Sequence, residues 1–208
     1  MLKSFTLFPL SNKTFIVVIS TLLVIPILSG CALTTSSVPL HYGPQNNVRK
    51  LKAARNVIVG VHVQDLRKNK RVGNKKNGFG MVMAPIYAKK NVAGTVRNAI
   101  EKELQARGFK IGKNAIVLVN VGITKFYNNF NMGFISGSAV AKLNMTVIVK
   151  NKQGEQLFHR KIFATGENGG IMIASGSNAG VALNRALQNG VNILFNDPKF
   201  TAALLQAK

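Results

Sequence analysis

Ala139-Val-Ala-Lys-Leu-Asn-Met-Thr-Val-Ile-Val-Lys150 places Ala141, Leu143, Met145, Val147 and Val149 on one face, against Lys142, Asn144, Thr146 and Lys150 on the other. An apolar/polar period of two in a run rich in β-branched residues specifies a strand with one buried and one wet face. Asn151 to Glu155 (NKQGE) follows as a hairpin turn, and Gln156 to Thr165 returns as the next strand. On the other side, Ala115 to Tyr127 puts Val117, Val119, Val121 and Ile123 on one face. Three successive strands of this kind predict an antiparallel sheet.

Helices flank this sheet. Asn91 to Arg107 repeats Val92, Val96, Ala99, Ile100 and Leu104 at spacings of three and four, with Asn91 as N-cap and Gly108 at the C-terminal stop. Glu101 and Glu103 fall two positions apart and read as helix surface. A second helix, about Asn178 to Phe195, turns Leu183, Leu187, Val191 and Leu194 to one side. Asp197-Pro198 caps and starts a short terminal helix to about Gln206. Upstream, Val57 to Leu66 alternates Val57, Val59, Val61 and Val63 as the first strand, and Phe79 to Pro85 forms a short second one. The fold class is therefore α+β: a two-layer sandwich, mostly antiparallel sheet, with two main helices packed on one face.

The N-terminal segment addresses location. Thr14 to Leu28 is an apolar run of 15 residues, the length of a signal-peptide core and short of the ~20 that span a bilayer. It ends in Leu28-Ser29-Gly30-Cys31, a lipobox before the only cysteine in the chain. Residues 1–30 are expected to be a lipoprotein signal peptide, with Cys31 acylated. Two or more acyl chains hold a protein firmly where one does not. Ala32, rather than an aspartate, after the cysteine favours the periplasmic face of the outer membrane. Residues 31–55 are read as the lipidated cysteine and a flexible basic tether, and residues 56–208 as a periplasmic domain.

The formal net charge is +22, and the stretch from Arg49 to Lys113 alone carries a net of +14. A basic surface attracts anionic polymers. The lipobox removes nucleic acid from the expected partners. It leaves phospholipid, lipopolysaccharide and peptidoglycan carboxylates, with Arg67, Lys68, Lys70, Arg71, Lys75 and Lys76 as candidate contacts. A second candidate surface is the glycine- and asparagine-rich stretch Asn128 to Ser138. Its Phe130, Met132, Phe134 and Ile135 either continue the strands or form an apolar tip that touches lipid or a partner.

The residues give little support to catalysis. His41 lies in the tether, His62 and His159 fall on separate strands, and six acidic residues among 28 basic ones form no obvious pair. Gly176-Ser-Asn-Ala-Gly180, in the loop read over Gly166 to Gly180, lacks the Gly-Lys-Ser/Thr of a P-loop. No His/Cys cluster has metal-ligand spacing, and no cofactor is expected.

Several motifs occur in a definite order. Val63-Gln-Asp65-Leu-Arg67 closes the first strand, with Gly73 after it. Ile100-Glu-Lys-Glu-Leu104-Gln-Ala-Arg107-Gly108-Phe109 ends the first helix, and the strand triplet and a Ser/Asn-led helix follow. With the lipobox, this order resembles the YajG-type lipoproteins. The resemblance implies an outer-membrane lipoprotein with a periplasmic α+β domain and no established catalytic activity. The basic run Arg67 to Lys76 is heavier than that family leads one to expect. The expected function is that of a non-catalytic accessory or docking factor for an envelope complex. The alternatives are a binder of anionic envelope polymer or lipid, and a structural subunit of a secretion or assembly machine.

Overall fold

Strands β6 (Val117–Met132), β7 (Gly137–Asn151) and β8 (Gln156–Ile171) form the expected antiparallel meander, and all three are longer than the alternation alone marks out. The computed structural model describes residues 33–206. The folded unit runs from Thr35, and the lipobox and Cys31 lie outside the described residues.

The five-stranded sheet has the order β5-β2-β6-β7-β8, where β2 is Ile58–Asp65 and β5 is Lys110–Ile111. It is mixed. β2 runs parallel to β6, with Val59 opposite Val117 and Asp65 opposite Ile123, and parallel to β5. Helix α1 (Val92–Ala106) lies between β2 and β6 in the chain, and a helical crossover returns the next strand in the same direction. Asn91 caps α1 by accepting a hydrogen bond from the Gly94 N–H, and Gly108 ends it at φ +95°.

A three-stranded sheet, order β1-β4-β3, completes the framework: β1 is Ser36–Val38, β3 Gly73–Lys76 and β4 Val82–Ala88. β4 lies a few residues later than the strand expected over Phe79 to Pro85, and β3 forms within the basic run Arg67 to Lys76. β1 corrects the tether. Val38, Leu40 and Ala54 are buried, so the chain is built into the core from β1 onward instead of hanging free to residue 55. A short 3-10 turn, Lys52–Asn56, leads into β2.

Helix α2 (Gly176–Phe195) starts two residues earlier than its apolar periodicity suggests and crosses β6, β7 and β8. Leu183, Leu187, Val191 and Leu194 are fully buried and share one core with Leu143, Met145 and Val147 of β7. Helix α3 (Pro198–Gln206) closes the core with Phe200, which meets Phe158 and Phe195 edge-on at 5.5 and 5.3 Å. The opposite face of the sheet is open: Leu118 and Phe163 are exposed there among Lys142 and Lys161.

One irregularity decides which residues reach the core. The β6–β7 register shifts between Ile123 and Lys125, so one extra residue, Thr124, sits in β6. Before it, odd positions Val117 to Ile123 face the helices. After it, Phe126, Asn128 and Phe130 do.

Candidate docking surface at the end of the long hairpin

Three turns meet at one end of the sheets. The β6–β7 turn spans residues 133–136, closed by a Gly133 N–H donating to the Ser136 carbonyl at 3.0 Å. Gly137, which follows it, pairs with Ile171 at the end of β8, so Met172 and Ile173 leave the sheet beside that turn. The β3–β4 turn, residues 77–81, is tied by Asn77, whose side chain accepts from the Phe79 and Met81 N–H groups at 3.0 and 2.9 Å. A bridge from Lys76 to Ala174 sets that turn against the same segment.

These turns expose apolar side chains. Phe134 is fully exposed, Ile135 is 82% exposed and Phe79 92%, with Met81, Val82, Met172 and Ile173 each more than half exposed. The four residues expected from sequence therefore divide. Phe134 and Ile135 belong to this surface. Phe130 is buried in the core because of the shift at Thr124, and Met132 packs partly against it. The candidate patch is accordingly corrected at Phe130. Phe79, Met81, Val82, Met172 and Ile173 are added by the structure. The signal for the last two was present as the apolar triplet Ile171-Met172-Ile173 inside a glycine- and serine-rich stretch.

The basic candidates divide too. Arg67 is 7% exposed and structural: it pairs with Asp65 at 2.8 Å and donates to the Phe126 and Arg71 carbonyls at 3.0 and 3.2 Å. It is not an open contact for an anionic surface. Burial pushes the Asp65 carboxyl up, but the hydrogen bonds and charge of Arg67, with Lys70, outweigh this and hold it below the ordinary carboxylate range. Lys68 and Lys70 are exposed, and Arg71, Lys75 and Lys76 are half-buried, with the Lys76 ammonium 3.4 Å from the Phe130 carbonyl. Lys70 lines an open cleft of about 610 Å³ with Arg67, Lys89, Lys90 and Asn91.

A model of the family described as "Uncharacterized lipoprotein" matches residues 44–205. The chain belongs to that lipoprotein family. No curated protein matches it in sequence. Among solved structures, a Xanthomonas campestris protein superposes with a TM-score of 0.52 at 8% identity, over 77% of this chain and 91% of that one. This likeness concerns the fold. A minor lipoprotein of Acinetobacter baumannii matches at 8% identity over 65% of this chain and 87% of its own, with a TM-score of 0.37. A Neisseria meningitidis lipoprotein matches at 12% identity over 68% and 99%, with a TM-score of 0.30.

In this lipoprotein, no helix among the described residues is long and apolar enough to cross a membrane. Among those residues, no three His, Cys, Asp or Glu side chains are grouped to hold a metal. Glu103 departs from its reading as helix surface, being fully buried on α1. It accepts hydrogen bonds from the Tyr42 hydroxyl at 2.7 Å and the Gln45 N–H at 2.8 Å, and it pairs with Arg107. The Arg107 guanidinium also donates to the Gln45 side chain at 2.6 Å and lies 4.5 Å from the Phe195 ring centre. This network straps residues 42–45 across α1 and α2. It has no open access and reads as structural.

Proposed function

We propose that this lipoprotein is a non-catalytic docking factor of the bacterial envelope, held by an acylated Cys31, with the three-turn apolar end as its contact surface. The observation that supports this most is the convergence of seven exposed apolar side chains from turns distant in sequence. Scattered exposed apolar residues need no explanation, whereas several gathered at one end of the domain mark an interaction site. The finer assignments belong to the same reading. The ordered motifs from Val63 to Phe109 support a YajG-type lipoprotein, and Ala32 supports the periplasmic face of the outer membrane.

A Cys31→Ala variant is expected to stay uncut and unacylated, and a membrane-bound, processed variant would defeat the anchor. Cross-linking in living cells tests the surface. A Phe79→Ser, Phe134→Ser, Met172→Ser protein should lose the adducts of the parent, and unchanged adducts would end this reading.

A second reading has its own observation. The open sheet face presents Lys125, Lys142 and Lys161, against Glu167 as its acidic residue. Binding of an anionic envelope polymer there would weaken steeply with salt, because exposed charges are screened beyond ~8 Å at physiological ionic strength.

A further inference from the structure

We infer that the apolar end enters the lipid surface to which the chain is tethered, so that the domain stands on the bilayer through its three turns as well as its acyl anchor. This rests on the docking reading above and names the partner.

The path of the chain points that way. β1 runs parallel to β4, with Ser36 opposite Ile86 and Val38 opposite Ala88. β4 leaves the 77–81 turn at Val82, so the first residue of β1, Ser36, lies at the end of that strand nearer the turns. Ile86 lies four residue steps along β4 from Val82, about 13 Å of strand at ~3.3 Å per residue. Cys31 precedes Ser36 by five residues, which span at most ~18 Å when fully extended. The acyl anchor therefore holds the start of β1, which is the end of β1 nearer the turns, within that span of the membrane.

The chemistry of the end agrees. Residues 77–82, 132–138 and 169–176 contain no charged side chain, while Phe79, Met81, Val82, Phe134, Ile135, Met172 and Ile173 project from them. Lys75 and Lys76 follow directly behind on β3, at the depth where headgroup phosphates would lie. Basic residues there add attraction to an anionic surface. The apolar groups sit on three separate turns instead of one continuous face. A protein partner requires shape complementarity across such a surface. Hydrocarbon fills around separate side chains without it.

The test uses the full-length acylated protein in vesicles of phosphatidylethanolamine and phosphatidylglycerol. Acylated Cys31 leaves no other thiol, so Phe79→Cys, Phe134→Cys or Met172→Cys each takes a polarity-sensitive dye at one place. Lys152→Cys, in the β7–β8 turn at the opposite end, is the reference. Blue-shifted emission, quenched by lipids carrying a quencher on the acyl chain, is expected at the three tips and not at Lys152. Water-like emission at all four sites, in protein that floats with the vesicles, overturns the inference. So does a shift at Phe134→Cys that survives serine at both Phe79 and Met172, because the dye alone would then be inserting. In cells, a photo-cross-linker at Phe134 should yield lipid adducts. A single protein adduct without lipid overturns the lipid assignment and leaves the docking reading standing, whereas no adduct of either kind defeats both.

Discussion

Glu103 of α1 and Arg107, the residue that caps its C-terminus one turn later, form an ion pair in which the carboxylate is fully buried and the guanidinium nearly so. Burial pushes the Glu103 carboxyl up. The Gln45 N–H, the Tyr42 hydroxyl and Arg107 together outweigh this, leaving it below the ordinary glutamate range. A buried pair broken on one side leaves an uncompensated charge, which costs about 3–5 kcal/mol. Glu103→Gln should therefore lower stability near neutral pH by about that amount, read from urea midpoints. Tyr42→Phe, which removes one hydrogen bond to a charged acceptor, should cost about 1.5–3 kcal/mol.

The same pair sets a pH dependence. A carboxyl whose folded pKa lies below its unfolded value of ~4.3 contributes its full stability above that value. The contribution is lost as pH falls through the lower folded value. The gap between the parent protein and Glu103→Gln should accordingly be widest at neutral pH and narrow in acid. A gap independent of pH would mean that the Glu103 carboxyl titrates alike in the folded and unfolded chain. A parent that loses stability relative to Glu103→Gln as pH rises would mean that Glu103 is protonated in the fold.

Gly166 of β8 faces α2 at a point where backbone meets backbone. A β-carbon there would stand 2.2 Å from the Ala186 nitrogen and 2.3 Å from the Ala182 carbonyl oxygen. Helix backbone cannot yield as a side-chain tip does, so Gly166→Ala must push α2 away from the sheet. Overpacking of this kind costs about 1–3 kcal/mol or more. Gly169, on the same strand with nothing near its added β-carbon, is the control, and Gly169→Ala should change stability far less.

Much of this architecture was legible in the sequence, and the failures have physical causes. Ala139 to Lys150 announces β7 because every second side chain is buried in the core on the side where α2 and α3 pack. The end of β8 does not announce itself, because Gly166 is filled from across by helix backbone and supplies no apolar side chain to the pattern. β1 is only three residues long, and a lone Val38 among serines carries no period. Thr124 inverts the inward parity of β6, and alternation has no means of marking an inserted residue. The buried pair left a trace: Glu103 lies beside Leu104 and Ala99 on the apolar side of α1, four residues before an arginine. The docking end was half visible, since Phe134 and Ile135 stand out locally, whereas their meeting with Phe79 and Met172 depends on pairing between distant strands.

Asn128 lies on the inward face that Thr124 creates, 1% exposed, and neither of its amide atoms has a protein hydrogen-bond partner. An unsatisfied buried polar group costs about 1–3 kcal/mol, and an apolar replacement of similar shape is neutral to stabilising. Asn128→Leu should raise the urea midpoint, by up to about 1–2 kcal/mol in stability. A clear fall instead would indicate that an ordered water satisfies the amide, since such waters are costly to displace.

Phe130 and Phe134 are four residues apart and should behave as opposites. Phe130 is 4% exposed and belongs to the core cluster, so Phe130→Ala is expected to cost about 3–5 kcal/mol. Phe134 touches solvent on all sides, and Phe134→Ser should stay within about 0.5 kcal/mol of the parent. Thermal or urea unfolding of the two single variants decides this directly. If Phe134→Ser were as damaging as Phe130→Ala, the β6–β7 turn would be folded back onto the domain and unable to serve as a docking tip. Parent-like stability with lost membrane or partner contact would separate the role of Phe134 from folding, because the core would be intact while the surface failed.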